Sequence, residues 1–503
     1  MLSTLVWLPI AGALLIVLLG AFLDSQQLRR ISLGIAIATF GWSLFLITKF
    51  DIGQSSIQLG ESLAWLDTIG LTYRLGVDGL SLPLVLMNGL LLVIAIYISD
   101  DIKRPSLYFP LLLLLGGGVN GAFLAQNLLL FFLFFEVELI PLYLLIAIWG
   151  GERRGYAATK FLIYTAISGV LLLAAFFGMA FLGSAETAFT FNYQDLNLEG
   201  VSQTTKGILL LLLLLGFGIK IPIVPLHTWL PDAHVEASTP VSTLLAGVLL
   251  KLGTYGLLRF GLGLLPEAWQ AIAPFLAGLA VVSVIYGCLT AITQTDMKKM
   301  VAYSSVGHMG YILLALAAAT PLSLVGATFQ MVSHGLISAL LFILVGTVYK
   351  KTGTRDINSL NGLLNPERGL PITGSLMILA AMASAGTPGM IGFIAEFVIF
   401  RSSFAVFPIQ TLLCMIGTGL TAVYFLIMLD RVFFGRLAVV KGFNQPPIDS
   451  FPFAKWQEKA PAIALALIII FFGLVPNFAT KMIESSADAI APNHTKPSHI
   501  ALL

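Results

Sequence analysis

Apolar residues in this 503-residue chain come in runs of about twenty, parted by short polar stretches, and the runs do not alternate with period two. That pattern predicts membrane-crossing helices rather than the strands of a barrel. Fourteen spans follow. The first six lie near 4–23, 31–48, 77–98, 107–125, 128–149 and 157–183. The next four lie near 207–230, 238–260, 270–293 and 300–319, and the last four near 322–349, 371–406, 409–430 and 460–480. Two spans are expected to break. In the seventh, Pro222 and Pro225 remove backbone donors just after Lys220. The twelfth is too long for one ordinary crossing, and Gly386, Pro388, Gly389 and Gly392 interrupt it. The first apolar run, Leu5–Leu23, has no basic flank and no clear cleavage site, so it reads as a retained span.

Composition agrees with this pattern. The chain is 58% hydrophobic and 10% charged, with a mean hydropathy of +0.95. A soluble domain carries about 25% charge, so an all-α polytopic membrane protein in a lipid bilayer is expected. The net charge of +2 gives no reason to expect nucleic acid as a partner. Loops after odd-numbered spans carry 17 Lys and Arg, against 7 on the other side with both termini included. Positive charge stays on the cytoplasmic-equivalent side, so both termini are expected opposite it. Cys288 and Cys414 lie in apolar spans without paired spacing and read as buried small hydrophobes.

The arrangement also hints at a repeat. Ala158-Thr159 and Ala327-Thr328 are 169 residues apart, and at that offset Thr165 pairs with His334 and Leu171-Leu172 with Leu340-Leu341. The two broken spans stand five apart. Two five-helix units, each with an odd number of crossings, would begin on opposite faces, which is the inverted-repeat plan of many transporters. The expected division is 1–106 for three N-terminal helices, 107–260 for the first repeat, 268–434 for the second, and 435–503 for a loop and the fourteenth helix.

Ionisable residues inside spans carry the candidate chemistry. A lysine at the bilayer centre costs about 2.5–3.5 kcal/mol on insertion scales, so Lys220 and Lys251 ask for a functional reason. Glu136 and Glu138, two apart on a helix, point about 200° from each other, so at most one should face Lys220. Glu136 is the preferred candidate; Glu138 reads as second to it, or as a neutral hydrogen-bonded acid. Lys160 sits near its span's end and can snorkel. Glu396 follows the break in the twelfth span much as Lys220 precedes the break in the seventh. His308 and His334, in adjacent spans, can relay protons towards it. His227 and His234 flank the proline-rich end of the seventh span, but their spacing suits no metal site. Gly216-Phe-Gly218 lacks the remaining features of a nucleotide loop. Asn493-His494-Thr495 fits a glycosylation pattern that is common by chance.

The run Lys220-Ile-Pro-Ile-Val-Pro-Leu-His-Thr-Trp-Leu-Pro-Asp-Ala-His234, with Leu245-Ala-Gly-Val-Leu-Leu-Lys-Leu-Gly-Thr-Tyr-Gly-Leu-Leu-Arg259, resembles the signature of antiporter-like subunits of complex I and of multisubunit cation/proton antiporters. The resemblance covers roughly residues 75–435. Glu396 in the twelfth span and Phe135-Glu-Val-Glu-Leu-Ile-Pro-Leu-Tyr143 look most like subunit 4 (the M-type or D-type chain) of the photosynthetic NDH-1 complex. The resemblance implies proton translocation through Glu136, Lys220, Lys251, His308, His334 and Glu396. It also implies quinone, Fe–S and electron-donor sites in other subunits, paralogous antiporter-like chains as neighbours, and a thylakoid location with both termini lumenal. No cofactor or metal is expected in this chain. Glu236-Ala-Ser-Thr-Pro-Val-Ser242 departs from the commoner Glu-Ala-Pro run and suggests a CO2-uptake variant. A gradient-driven cation/proton antiporter subunit and a proton-inactive scaffold are the alternative readings; a scaffold gains nothing from several costly buried charges.

Overall fold

The computed structural model describes residues 1–184, 189–439, 451 and 454–492, so Asn493-His494-Thr495 lies outside the described residues. Each of the fourteen expected spans is helical. Twelve are apolar helices of 18 residues or more, from Leu2–Leu19 to Trp456–Leu474. The third is the shorter Leu82–Ile98, and the twelfth is the pair Pro371–Ser384 and Ile391–Phe404.

The breaks fall where the sequence withholds donors or a side chain. The seventh crossing leaves the helix after Lys220 and resumes at Trp229–Glu236. Across that gap Ile223 donates to the Gly218 carbonyl, because Pro222 has no N–H to offer. In the twelfth, Gly386 and Gly389 take φ of +68° and +89°, conformations a residue with Cβ rarely adopts. The fifth crossing pauses at Glu138, between Leu128–Val137 and Leu139–Trp149, where Pro141 cannot bond the Val137 carbonyl. The eighth, Thr239–Leu262, contains two π-helical stretches, Leu245–Leu249 and Leu257–Leu262, with Lys251 between them. Such stretches gather at functional sites.

The interior is built from the crossings that are apolar on every side. The eighth is buried throughout, and the tenth (Met297–Ala318), eleventh (Pro321–Thr352) and fourth (Pro105–Leu124) nearly so. The sixth, ninth and thirteenth show Phe181, Phe275 and Leu426 outward, as a hydrocarbon surround allows.

Two features lie outside the sequence reading. Gln58–Leu66 and Leu71–Val77 pair as an antiparallel hairpin in the loop after the second crossing. The last span ends at Leu474, earlier than expected, and an amphipathic helix, Asn477–Ile490, follows. That helix is held by Ser486, whose hydroxyl accepts from the Gly79 N–H at 2.9 Å, and by Ser485, which donates to the Ile52 carbonyl at 2.8 Å.

Candidate functional site

Lys220 closes the first half of the broken seventh crossing and is almost fully buried. Its ammonium forms an ion pair with Glu138, which is itself completely buried. The rings of Phe135 and Phe161 lie 4.9 and 5.8 Å from Nζ and add cation–π attraction. The expectation that Glu136 would be the carboxylate against Lys220 is therefore corrected: the direct partner is Glu138. The pause at Glu138 is the physical reason: the weakening that Pro141 imposes turns the backbone there, so the separation of about 200° in a regular helix no longer decides which acid faces Lys220. Glu136 is half-buried over Gly169 of the sixth crossing, where a Cβ would stand within contact distance of its carboxylate, and its charge still acts on Lys220. Both acids thus bear on one lysine.

Lys251 is wholly buried between the two π-helical stretches. Its ammonium donates to the Ala246 carbonyl at 2.5 Å and meets His334 Nδ1 at 2.8 Å. That contact needs an unprotonated Nδ1 on His334 as acceptor when the lysine is charged. The His334 and His308 rings are 5.6 Å apart. His308 presents Nδ1 to the Ser304 carbonyl at 2.8 Å and Nε2 to the Ser384 carbonyl at 3.0 Å. Two carbonyl acceptors can both be satisfied only by the doubly protonated ring, so this cage accommodates an imidazolium. Glu396 Oε1 lies 3.7 Å from His308 Nε2, and Glu396 Oε2 accepts from Thr418 Oγ1 at 3.1 Å. Lys251, His334, His308 and Glu396 therefore form one connected run through the interior.

Between Lys220 and Lys251 the helices approach at Gly253, where a Cβ would lie 2.8 Å from Ile221 and 3.1 Å from the Lys220 Cβ. The other candidates divide. Lys160 pairs with Asp232 at 2.7 Å, and Tyr164 bonds Thr228 at 2.8 Å, so together they tie the sixth crossing to the second half of the seventh. His227 sits edge-on to Tyr286 at 4.9 Å, away from the run. His234 is buried and stacked on Phe342.

Sequence reasoning passed over four polar groups. Thr418 and the Ser384 carbonyl hold the Glu396 end; Ser384 has no sequence signal beyond proximity to a break, and Thr418, inside the thirteenth crossing, has none. Arg259 and Asp78 form a buried pair at 2.5 Å joining the eighth crossing to the start of the third. Their signal was a charge at a span's end, which reads as snorkelling. Among the described residues, no three His, Cys, Asp or Glu side chains converge as a metal site would require.

Comparison with known proteins places this geometry. The family described as NADH:quinone oxidoreductase/Mrp antiporter, TM, matches residues 125–421. The chain is 42% identical over 498 residues to NAD(P)H-quinone oxidoreductase chain 4 1 of Synechococcus elongatus, covering 97% of this chain and 91% of that one. It is 41% identical to chain 4 2 of Thermosynechococcus vestitus, with 97% and 91% coverage. A chain of respiratory complex I from Thermus thermophilus superposes with a TM-score of 0.87 at 27% identity, over 98% of this chain and 99% of that one. A chain of the Mrp complex from Dietzia sp. shares the fold, with a TM-score of 0.87 at 21% identity and 98% coverage of each.

Proposed function

The chain belongs to the NADH:quinone oxidoreductase/Mrp antiporter transmembrane family, and from that premise we propose that it is the proton-translocating chain 4 of an NDH-1-type NAD(P)H or ferredoxin:quinone oxidoreductase. The observation that carries this reading is the connected run Lys251, His334, His308, Glu396, because a purely mechanical subunit has no use for four linked proton-binding groups in its interior.

The steps follow from charge. A carboxylate beside Lys220 favours its protonated form. When Glu138 and Glu136 move away, that preference weakens and the proton is released towards Lys251, then through His334 and His308 to Glu396. The two units, 107–260 and 268–434, are the inverted halves of this proposal, each opening to its own face. Quinone, Fe–S groups and the electron donor are assigned to other subunits, and paralogous antiporter-like chains to its neighbours. We place the complex in the thylakoid membrane, reducing plastoquinone, with both termini lumenal. Ser238-Thr239, standing in the Glu236–Ser242 run, carries the narrower proposal of a CO2-uptake form; deletion of the gene should then slow growth at limiting CO2 while spending little of the respiratory quinone reduction.

The test is Lys220→Ala in the assembled complex: quinone reduction measured with proton uptake in sealed vesicles should show pumping lost. Wild-type pumping in that variant would overturn the assignment. The second reading, a gradient-driven cation/proton antiporter subunit, rests on the shared fold of the Mrp chain. It predicts Na⁺/H⁺ exchange without quinone-reducing partners.

A further inference from the structure

Two buried polar groups have no part in the run described above, His234 and Lys298. A cavity of about 590 Å³ opens among Gly151, Arg153, Glu236, Lys298, Tyr349 and Arg355. Gly151, Arg153 and Arg355 lie in the connections after the fifth and eleventh crossings, and Glu236, Lys298 and Tyr349 at the ends of the seventh, tenth and eleventh that meet them, so the cavity belongs to the face that carries the excess of positive charge. Lys298 forms part of its wall and donates through Nζ to the Ala237 carbonyl at 2.5 Å. One helical turn before Ala237 stands His234, with no exposed surface, its ring stacked on Phe342 at 4.5 Å and 11°.

Neither ring nitrogen of His234 has a hydrogen-bond partner among the described residues. A buried imidazole left so by the protein is ordinarily satisfied by water. The eleventh crossing supplies a course for that water. Phe342, Ser338 and His334 follow at intervals of four and share one face. The step from Phe342 back to His334 is about 12 Å at 1.5 Å per residue. At its end His334 Nε2 is again without a partner among the described residues, and the same crossing carries two more such groups, the hydroxyls of Ser333 and Thr328. The Lys298 ammonium, held on the Ala237 carbonyl one turn away, ties the His234 helix to the cavity wall.

We propose that the Lys251–His334 pair is refilled with protons directly from this cavity, Lys298 standing in its wall and His234 serving as the first relay. The proposal rests on the proton-translocating reading and deepens it. Lys251 then has a source of its own, and the Lys220–Glu138 pair governs when that source is drawn on. His234→Phe keeps the stack on Phe342 and removes the ring nitrogens; Lys298→Met keeps the apolar stem and removes the ammonium.

The experiment compares both variants with Lys220→Ala in the intact complex, reading protons taken up per quinone reduced in sealed vesicles. Loss of pumping in His234→Phe and in Lys298→Met, with the complex assembled, is the expected result. Wild-type stoichiometry in both, while Lys220→Ala has lost pumping, overturns the uptake route and leaves the function standing. Wild-type stoichiometry in all three overturns the function as well. Should His234→Phe fail to assemble, Lys298→Met at the cavity wall decides the matter by the same reading.

Discussion

Replacing Glu138 by Gln tests the central pairing most directly. The substitution keeps shape and removes the charge that faces Lys220, where the two side chains are 0% and 2% exposed. Breaking a buried ion pair by removing one partner costs about 3–5 kcal/mol, since the other charge loses its direct partner. The faces of Phe135 and Phe161 remain within 4.9 and 5.8 Å of Nζ. These contacts are present before and after the substitution and cancel, so the expected loss stays at about 3–5 kcal/mol, towards the lower end because Glu136 still bears on Lys220. Removing both charges is different in kind, because a neutral pair of similar volume is often tolerated. Lys220→Met/Glu138→Gln should therefore be less destabilised than Glu138→Gln alone, with a coupling energy of about 2–4 kcal/mol. The assay is denaturant unfolding of the detergent-solubilised chain followed by tryptophan fluorescence, carried around the full double-mutant cycle. Additivity to within about 0.5 kcal/mol would refute the reasoning, because it would mean that the two groups do not sense each other. In the assembled complex Glu138→Gln should slow pumping, and Glu136→Gln/Glu138→Gln should abolish it, since only the double variant leaves Lys220 without a neighbouring acid.

Three further outcomes follow from the geometry. Gly386→Ala forces a Cβ into a left-handed conformation at φ +68° and places it 2.8 Å from Glu396 Oε2, so a loss of about 1–2 kcal/mol and slower proton release are expected, measured by thermal stability and vesicle pumping. Thr418→Val removes the donor to Glu396 Oε2 and should cost about 1–3 kcal/mol and slow pumping, while Thr418→Ser should restore both. Arg259→Leu leaves Asp78 buried and unpaired at a cost of about 3–5 kcal/mol, seen as poor assembly on a native gel; adding Asp78→Asn should recover much of it.

Much of the fold was legible along the chain. The crossings, and the breaks after Lys220 and around Gly386–Gly392, follow from apolar run length and from proline and glycine, whose effects are local. The hairpin at Gln58–Val77 was not legible, because its strands are short and lie in a loop whose composition resembles other polar connections. The helix Asn477–Ile490 was not read: the last span, taken to about 480, ran over its first turn, since only the separation at Val475-Pro476 marks the change. At the site, every member of the connected run was nameable from its cost of burial. The order of preference between Glu136 and Glu138 was not, because Pro141 marks a weakened helix there but not the direction in which the pause turns each acid.

The sequence by itself determined how many times the chain crosses the membrane, where those crossings break, and which charges are carried inside. Each of these depends on what a bilayer exacts from a residue and its near neighbours. Tertiary structure decided who meets whom: Glu138 on Lys220, His334 on Lys251, the Ser384 carbonyl and Glu396 on His308, Asp78 on Arg259. Those pairings depend on the rotation and spacing of helices, set by contacts such as Gly253 against Ile221 that join residues distant in the chain. A cost of burial is paid locally and can be read locally; a partner is found only once the helices have packed.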